Sequence, residues 1–228
     1  MSLSDHDDPL SLTWSAGELA LYRFCERFDP WLLSWVPGEA CPPDLSAVAS
    51  APEALRLVFT GARARRVPVG VIGPRVASEK EYALAEAVGR ALGEHGLQLI
   101  CGGKSGVMEA ACKGHLAAGG LPVGLLPDTE WRECNDYVAV PIATGIGPVR
   151  NAILARASMV LVAIGGGYGT LTEMAYGLHF DRPVLALGDA PFVPGVLACE
   201  TPADVIAHIA QHLLQDAPRV IDSAPRAL

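Results

Sequence analysis

Lysine is scarce in this 228-residue chain: only Lys80, Lys104 and Lys113 occur, and the formal net charge is −8. A chain so poor in ammonium groups lacks the field that draws proteins onto phosphate backbones, so neither nucleic acid nor an acidic membrane is an expected partner. Arg63, Arg65 and Arg66 form the one basic cluster and read as a solvated linker just before a strand. Long apolar runs are missing as well. "MVLVAI" (Met159 to Ile164) and "LPVGLLP" (Leu121 to Pro127) fall far short of the roughly 18 residues that crossing a bilayer requires. The opening "MSLSDHDDP" is acidic where a secretory signal is basic and then apolar, so a cytoplasmic location is expected. The six cysteines, Cys25, Cys41, Cys101, Cys112, Cys134 and Cys199, include no CxxC pair and are expected to be reduced thiols. There is no internal repeat.

The common nucleotide motifs are absent too. A Walker loop needs glycine five residues before Gly103-Lys104-Ser105, and that position is Gln98. The dinucleotide fingerprint GxGxxG breaks at Thr170 after Gly165 and Gly167, and the first strand-to-helix turn lacks it altogether. His208 and His212 are four apart on one helix face, but no glutamate or third ligand accompanies them, so a surface pair is expected rather than zinc. No metal and no cofactor are called for.

What is present is a half-hydrophobic composition, sufficient for one sizeable core. From Val67 onward, almost continuous apolar runs alternate with amphipathic segments: "VPVGVIG", "LQLICGG", "LPVGLLP", "YVAVPIA", "MVLVAIG" and "PVLALG". That pattern predicts an α/β fold, a Rossmann-like doubly wound parallel sheet of six or seven strands with helices on both faces. Ser78 with Glu81 form a capping box for the first intervening helix, which Gly96 ends. The next runs from Gly106 to the pair Gly119 and Gly120. A third starts near Pro148 with Val149, Ile153 and Ala157 inward. A fourth spans Thr170 to Phe180, and the last starts at an N-cap Thr201 followed by Pro202 and Asp204. Residues 67–216 make this domain, and 217–228 a tail. Residues 1–66 carry Trp14, Trp31 and Trp35, with Ser15 and Glu18 placed to cap a helix toward Phe28. They are expected to form a helical extension and linker, "APEALRLVFTGARARR" being the connecting region.

In open parallel sheets ligands bind beyond the carboxyl ends of the strands. Three such positions are unusual, the second and third of them rich in glycine: "GPRVAS" (Gly73 to Ser78), "GGKSGVME" (Gly102 to Glu109) and "GGGYGTLTE" (Gly165 to Glu173). Glycine lets the backbone approach a ligand, and the free N–H groups of a following helix favour an anion, so a phosphate ester is the expected ligand. Glu173 falls in the first turn of the helix after the last of these loops. Arg150 falls in the first turn of the helix before it, where a guanidinium could bind phosphate or hold that carboxylate.

The stretches "RNAILARASMVLVAIGGGYGTLTE" and "GGKSGVMEAACKGHLAAGG" resemble the LONELY GUY superfamily, especially the branch that includes molybdenum-cofactor carrier proteins, over about Val67 to Leu214. The resemblance implies a Rossmann-like homodimer that binds a nucleoside 5′-monophosphate or a molybdopterin-like ligand. The enzymes of the superfamily hydrolyse the N-glycosidic bond of such nucleotides. Their motif Pro-Gly-Gly-x-Gly-Thr-x-x-Glu matches Gly165 to Glu173 except that Gly165 replaces proline. Their essential arginine stands 23 residues before the glutamate, as Arg150 does here. By this likeness Arg150 and Glu173 are the catalytic pair, and the N–H groups of Gly166, Gly167, Gly169 and Thr170 hold the phosphate. Gly102, Gly103 and Met108 flank the ribose or base, and Gly73 to Arg75 close the crevice. Asn151 stands where the enzymes have lysine, and Thr172 where they have a second glutamate. Two outcomes stay open: a phosphoribohydrolase, or a carrier or sensor that binds the ligand without cutting it.

Overall fold

A computed structural model of the chain describes residues 11–24, 26–38 and 41–215. The expected tail at 217–228, the acidic opening stretch and Cys25 lie outside the described residues. The chain divides into two compact units, one built from residues up to Arg65 together with those from Ala210 on, the other from Arg66–Ile209.

The first unit departs from the helical expectation. Strands β1 (Leu12–Ser15), β2 (Ala20–Arg23), β3 (Glu26–Asp29), β4 (Ser34–Pro37) and β5 (Leu45–Ala47) form an antiparallel sheet in the order β4-β3-β2-β1-β5. The Ser15 hydroxyl does accept the Glu18 N–H, at 3.1 Å, as a helix cap would. It also donates to Asp44 at 2.8 Å, and Leu19 takes a left-handed φ of 52°, so the chain reverses into β2 instead of coiling. Trp14 in β1 and Trp35 in β4 are buried, Trp35 meeting Phe28 edge-on at 5.3 Å, while Trp31 lies exposed in the turn between β3 and β4. The supposed linker is helix α1 (Ala51–Gly61), capped by Ser50, with Leu55, Val58 and Phe59 buried. The arginines after it are not simply solvated, since Arg63 and Arg65 lie over the Trp31 ring.

The second unit is the doubly wound sheet. Its elements are β6 (Val69–Ile72), α2 (Glu79–Glu94), β7 (Leu99–Cys101), α3 (Val107–Ala117), β8 (Val123–Leu126), β9 (Val140–Ala143), α4 (Arg150–Ala157), β10 (Val160–Ile164), α5 (Tyr168–His179), β11 (Val184–Leu187) and β12 (Leu197–Ala198). The helix α6 (Pro202–Leu214) follows. The sheet has seven strands in the order β12-β11-β10-β6-β7-β8-β9, and every neighbouring pair is parallel. The two-residue β12 is too short to leave a mark in the hydrophobic pattern. Ile72, Ile100, Leu125, Leu161, Ala163 and Val184 from five strands build the core with Leu154 and Met174 from the helices. The capping box at Ser78 and Glu81 forms, as does the Thr201 cap with Asp204.

One helix face differs from expectation. On α4 and the 3-10 turn before it, Val149 and Ile153 are exposed, 69% and 47%, as is Ala157, while Arg150, Leu154 and Ala155 are buried. An arginine reads as solvent-facing unless its partner is known. Here a buried carboxylate draws it inward, and Leu154, four residues on, shares its face. Among the described residues, no helix is long and apolar enough to cross a membrane.

Candidate functional site

The strand order reverses between β6 and β10, because the chain adds β7 to β9 on one side of β6 and β10 to β12 on the other. At such a switch point the loops that leave the strands diverge and open a crevice. A cavity of about 560 Å³ lies beyond these strand ends. It is lined by Gly73, Pro74 and Arg75 after β6, Met108 in the first turn of α3, Pro127 and Asp128 after β8, Gly147, Pro148, Arg150 and Asn151 around the start of α4, and Gly167, Gly169, Thr170 and Glu173 at the start of α5.

The N-termini of α3, α4 and α5 border this space without a side-chain cap, but two have backbone partners: the Val107 N–H of α3 donates to the Pro74 carbonyl at 3.1 Å, and α4 runs on from the 3-10 turn, whose Gly147 and Pro148 carbonyls take the Arg150 N–H, whereas α5 begins after Gly167. The neighbouring α2, by contrast, satisfies its own first turn with Ser78 and Glu81. An uncapped first turn leaves N–H groups without intrahelical acceptors and carries a partial positive charge, the conditions under which an anion is bound.

At the side of the cavity, Arg150 Nη1 donates to Glu173 Oε1 at 2.9 Å and to Asn151 Oδ1 at 2.6 Å. Both members of the ion pair are almost fully buried. Burial pushes the Glu173 carboxyl up to about 7, and the neighbouring Arg150 charge and hydrogen bond only partly offset it. A carboxyl that titrates near neutrality beside a fixed cation is suited to proton transfer or to stabilising a developing positive charge.

Gly102 does not line the cavity but makes the pair possible. A β-carbon there would collide with the Arg150 guanidinium and come within 2.8 Å of the Met108 sulfur. Gly103 sits behind it, its N–H directed to the Cys101 sulfur at 3.3 Å, and is likewise outside the lining. Gly166 also lies outside the lining, so of the expected cradle Gly167, Gly169 and Thr170 face the space. Gly165 has φ of 56°, and a β-carbon there would run into the Glu81 carboxylate. A left-handed residue in this place cannot be proline, whose ring holds φ near −65°. Thr172 donates to the Gly169 carbonyl at 2.7 Å and takes no part in the cavity wall.

Sequence reasoning passed over Pro127, Asp128, Gly147 and Pro148. Asp128 was within reach of the same rule, since it follows a strand. Lys104, in the loop after β7, bonds Asp128 Oδ2 and the Glu133 carbonyl, each at 2.7 Å. Cys101 and Cys112 are buried with their sulfurs 3.4 Å apart. Among the described residues no group of three or more potential ligands could hold a metal ion.

Residues 66–217 match the model of the SLOG cluster4 family. An uncharacterized protein of Archaeoglobus fulgidus is 40% identical over 138 residues, covering 60% of this chain and 91% of that protein. The molybdenum cofactor carrier protein of Chlamydomonas reinhardtii is similar in structure, with 38% identity, a TM-score of 0.60, and coverage of 66% of this chain and 99% of the other. A cytokinin riboside 5′-monophosphate phosphoribohydrolase of Rhodococcoides fascians is 29% identical over 133 residues, covering 50% of this chain and 63% of the relative.

Proposed function

Because the chain belongs to the SLOG cluster4 family, within the LONELY GUY superfamily and near its molybdenum-cofactor carrier branch, we propose that it binds a nucleoside 5′-monophosphate or a similar phosphate ester in the cavity beyond β6 and β10. The observation that carries this reading is the opening of the uncapped α5 N-terminus onto the same space as the buried Arg150–Glu173 pair. The N–H groups at Gly167, Gly169 and Thr170 hold the phosphate, and Arg150 orients the ester and keeps Glu173 in place.

The same arrangement supports hydrolysis of the N-glycosidic bond. As the bond to the base breaks, positive charge develops on the ribose ring, and the ionised Glu173 carboxylate stabilises it and aids the attacking water. Only the deprotonated form does this, so turnover rises with pH through about 7. The alternative is a carrier that holds the ester intact. Asn151 favours it, because it occupies Arg150 with a 2.6 Å hydrogen bond at a position where the enzymes of the superfamily have lysine.

The deciding experiment incubates the protein with AMP and measures free adenine and ribose 5-phosphate, with Glu173→Gln in parallel. Base release that disappears in the variant supports the hydrolase; binding without release in the wild type, lost in Arg150→Ala, supports the carrier. Should no phosphate ester raise the melting temperature, the phosphate-ester reading is wrong.

A further inference from the structure

Asp128 lines the cavity yet has no part in the mechanism above. It follows β8, and β8 is separated from β10 by β6 and β7. The strand that leads into Asp128 thus lies three interstrand steps, about 14 Å, from the strand that leads into the glycines at the start of α5. That span suits an extended nucleotide, with the phosphate at α5 and the far edge of the base at β8.

The two ends of the cavity have opposite electrical character. The α5 end offers backbone donors, whereas the β8 end offers an acceptor that is held in place. Lys104 bonds Asp128 Oδ2 at 2.7 Å, and its own second bond to the Glu133 carbonyl, also 2.7 Å, anchors it from the side. The Lys104 hydrogen bond holds the Asp128 carboxyl below the usual carboxylate range, so it is ionised at neutral pH.

An ionised carboxylate only accepts hydrogen bonds, and it has two oxygens with which to do so. Lys104 uses part of that capacity. A heterocycle with a ring N–H beside an amino group, the 2-amino-4-oxopyrimidine edge, presents two parallel donors at the spacing of the carboxylate oxygens. Adenine presents one donor beside a ring nitrogen whose lone pair faces the anion. We propose that Asp128 reads the base end of the ligand and selects a 2-amino-4-oxopyrimidine edge, as in guanine, over adenine. This rests on the phosphate-ester reading of the cavity and extends it to the substrate class.

Calorimetric titration of the full chain with GMP, AMP and 6-hydroxymethylpterin monophosphate tests the assignment, the pterin separating a purine source of this edge from a pteridine one. The wild type is expected to bind GMP or the pterin phosphate at least about tenfold more tightly than AMP. Asp128→Asn, whose amide offers one acceptor and one donor, is expected to erase that preference or turn it toward AMP. Equal affinity for all three in the wild type, or a preference for the 2-amino edge that persists in Asp128→Asn, overturns the assignment and leaves the phosphate-ester reading standing. If none of the three binds, nor inorganic phosphate, the two fall together.

Discussion

Arg150 opens α4 and Glu173 lies in the second turn of α5, one turn deeper than the sequence suggested because the helix already begins at Tyr168; the two meet at 2.9 Å, each less than a tenth exposed. A buried charge pair of this kind is costly to assemble and more costly to halve, since removing one partner leaves the other uncompensated away from water. Its position against the cavity, and not its contribution to stability, is the reason to assign it a functional role.

Arg150→Ala is expected to lower the stability of the unit that carries the doubly wound sheet by about 3 kcal/mol or more at pH 8, where Glu173 is ionised. Urea unfolding measures the loss. The same variant should lose binding of phosphate esters, whereas Phe192→Ala, at an exposed position outside the cavity, should keep its stability.

The pH dependence has a definite sign. Glu173 titrates at about 7 in the folded chain against an ordinary value of 4.5, so the native state holds a proton that the unfolded state releases. The associated stability is fully present below pH 4.5 and is lost as pH rises through about 7, by an amount on the order of 3 kcal/mol. The stability of the wild type relative to Glu173→Gln should therefore fall between pH 5 and pH 8. A constant difference across that range would place the carboxyl in a more polar environment than its burial indicates.

Gly165→Pro restores the residue of the superfamily motif but should damage this chain. Proline cannot take φ of 56°, and it would delete the N–H that bonds the Leu187 carbonyl at 3.3 Å. A loss of about 3 kcal/mol is expected in thermal or urea unfolding. An unchanged midpoint would mean that the loop relaxes freely to a right-handed form.

The homodimer implied by resemblance has a candidate surface in the exposed Val149 and Ile153 at α4 with Leu171 and Tyr176 on the adjacent α5. Ile153→Glu would bury a charge in such a contact. Light scattering should give twice the monomer mass for the wild type and the monomer mass for the variant. A monomeric wild type would leave these side chains without a subunit partner.

The register of apolar runs and punctuating residues was enough to specify the larger unit. Strands buried on both faces have to be apolar throughout, and Ser78, Glu81, Thr201 and Asp204 mark helix starts through bonds made within four residues. The Arg150 and Glu173 pairing was legible as well, because each follows a strand end and together they match a known spacing. Three features depended on contacts distant in sequence. The first unit became a sheet because Ser15 found Asp44, 29 residues away, and hairpin turns replaced the helix that local spacing allowed. The inward face of α4 was decided by Arg150 reaching Glu173 rather than by the hydrophobic period. Asp128 acquired its place opposite the glycine loop only because β8 lies three strands from β10 in the sheet, an order that chain position alone does not disclose.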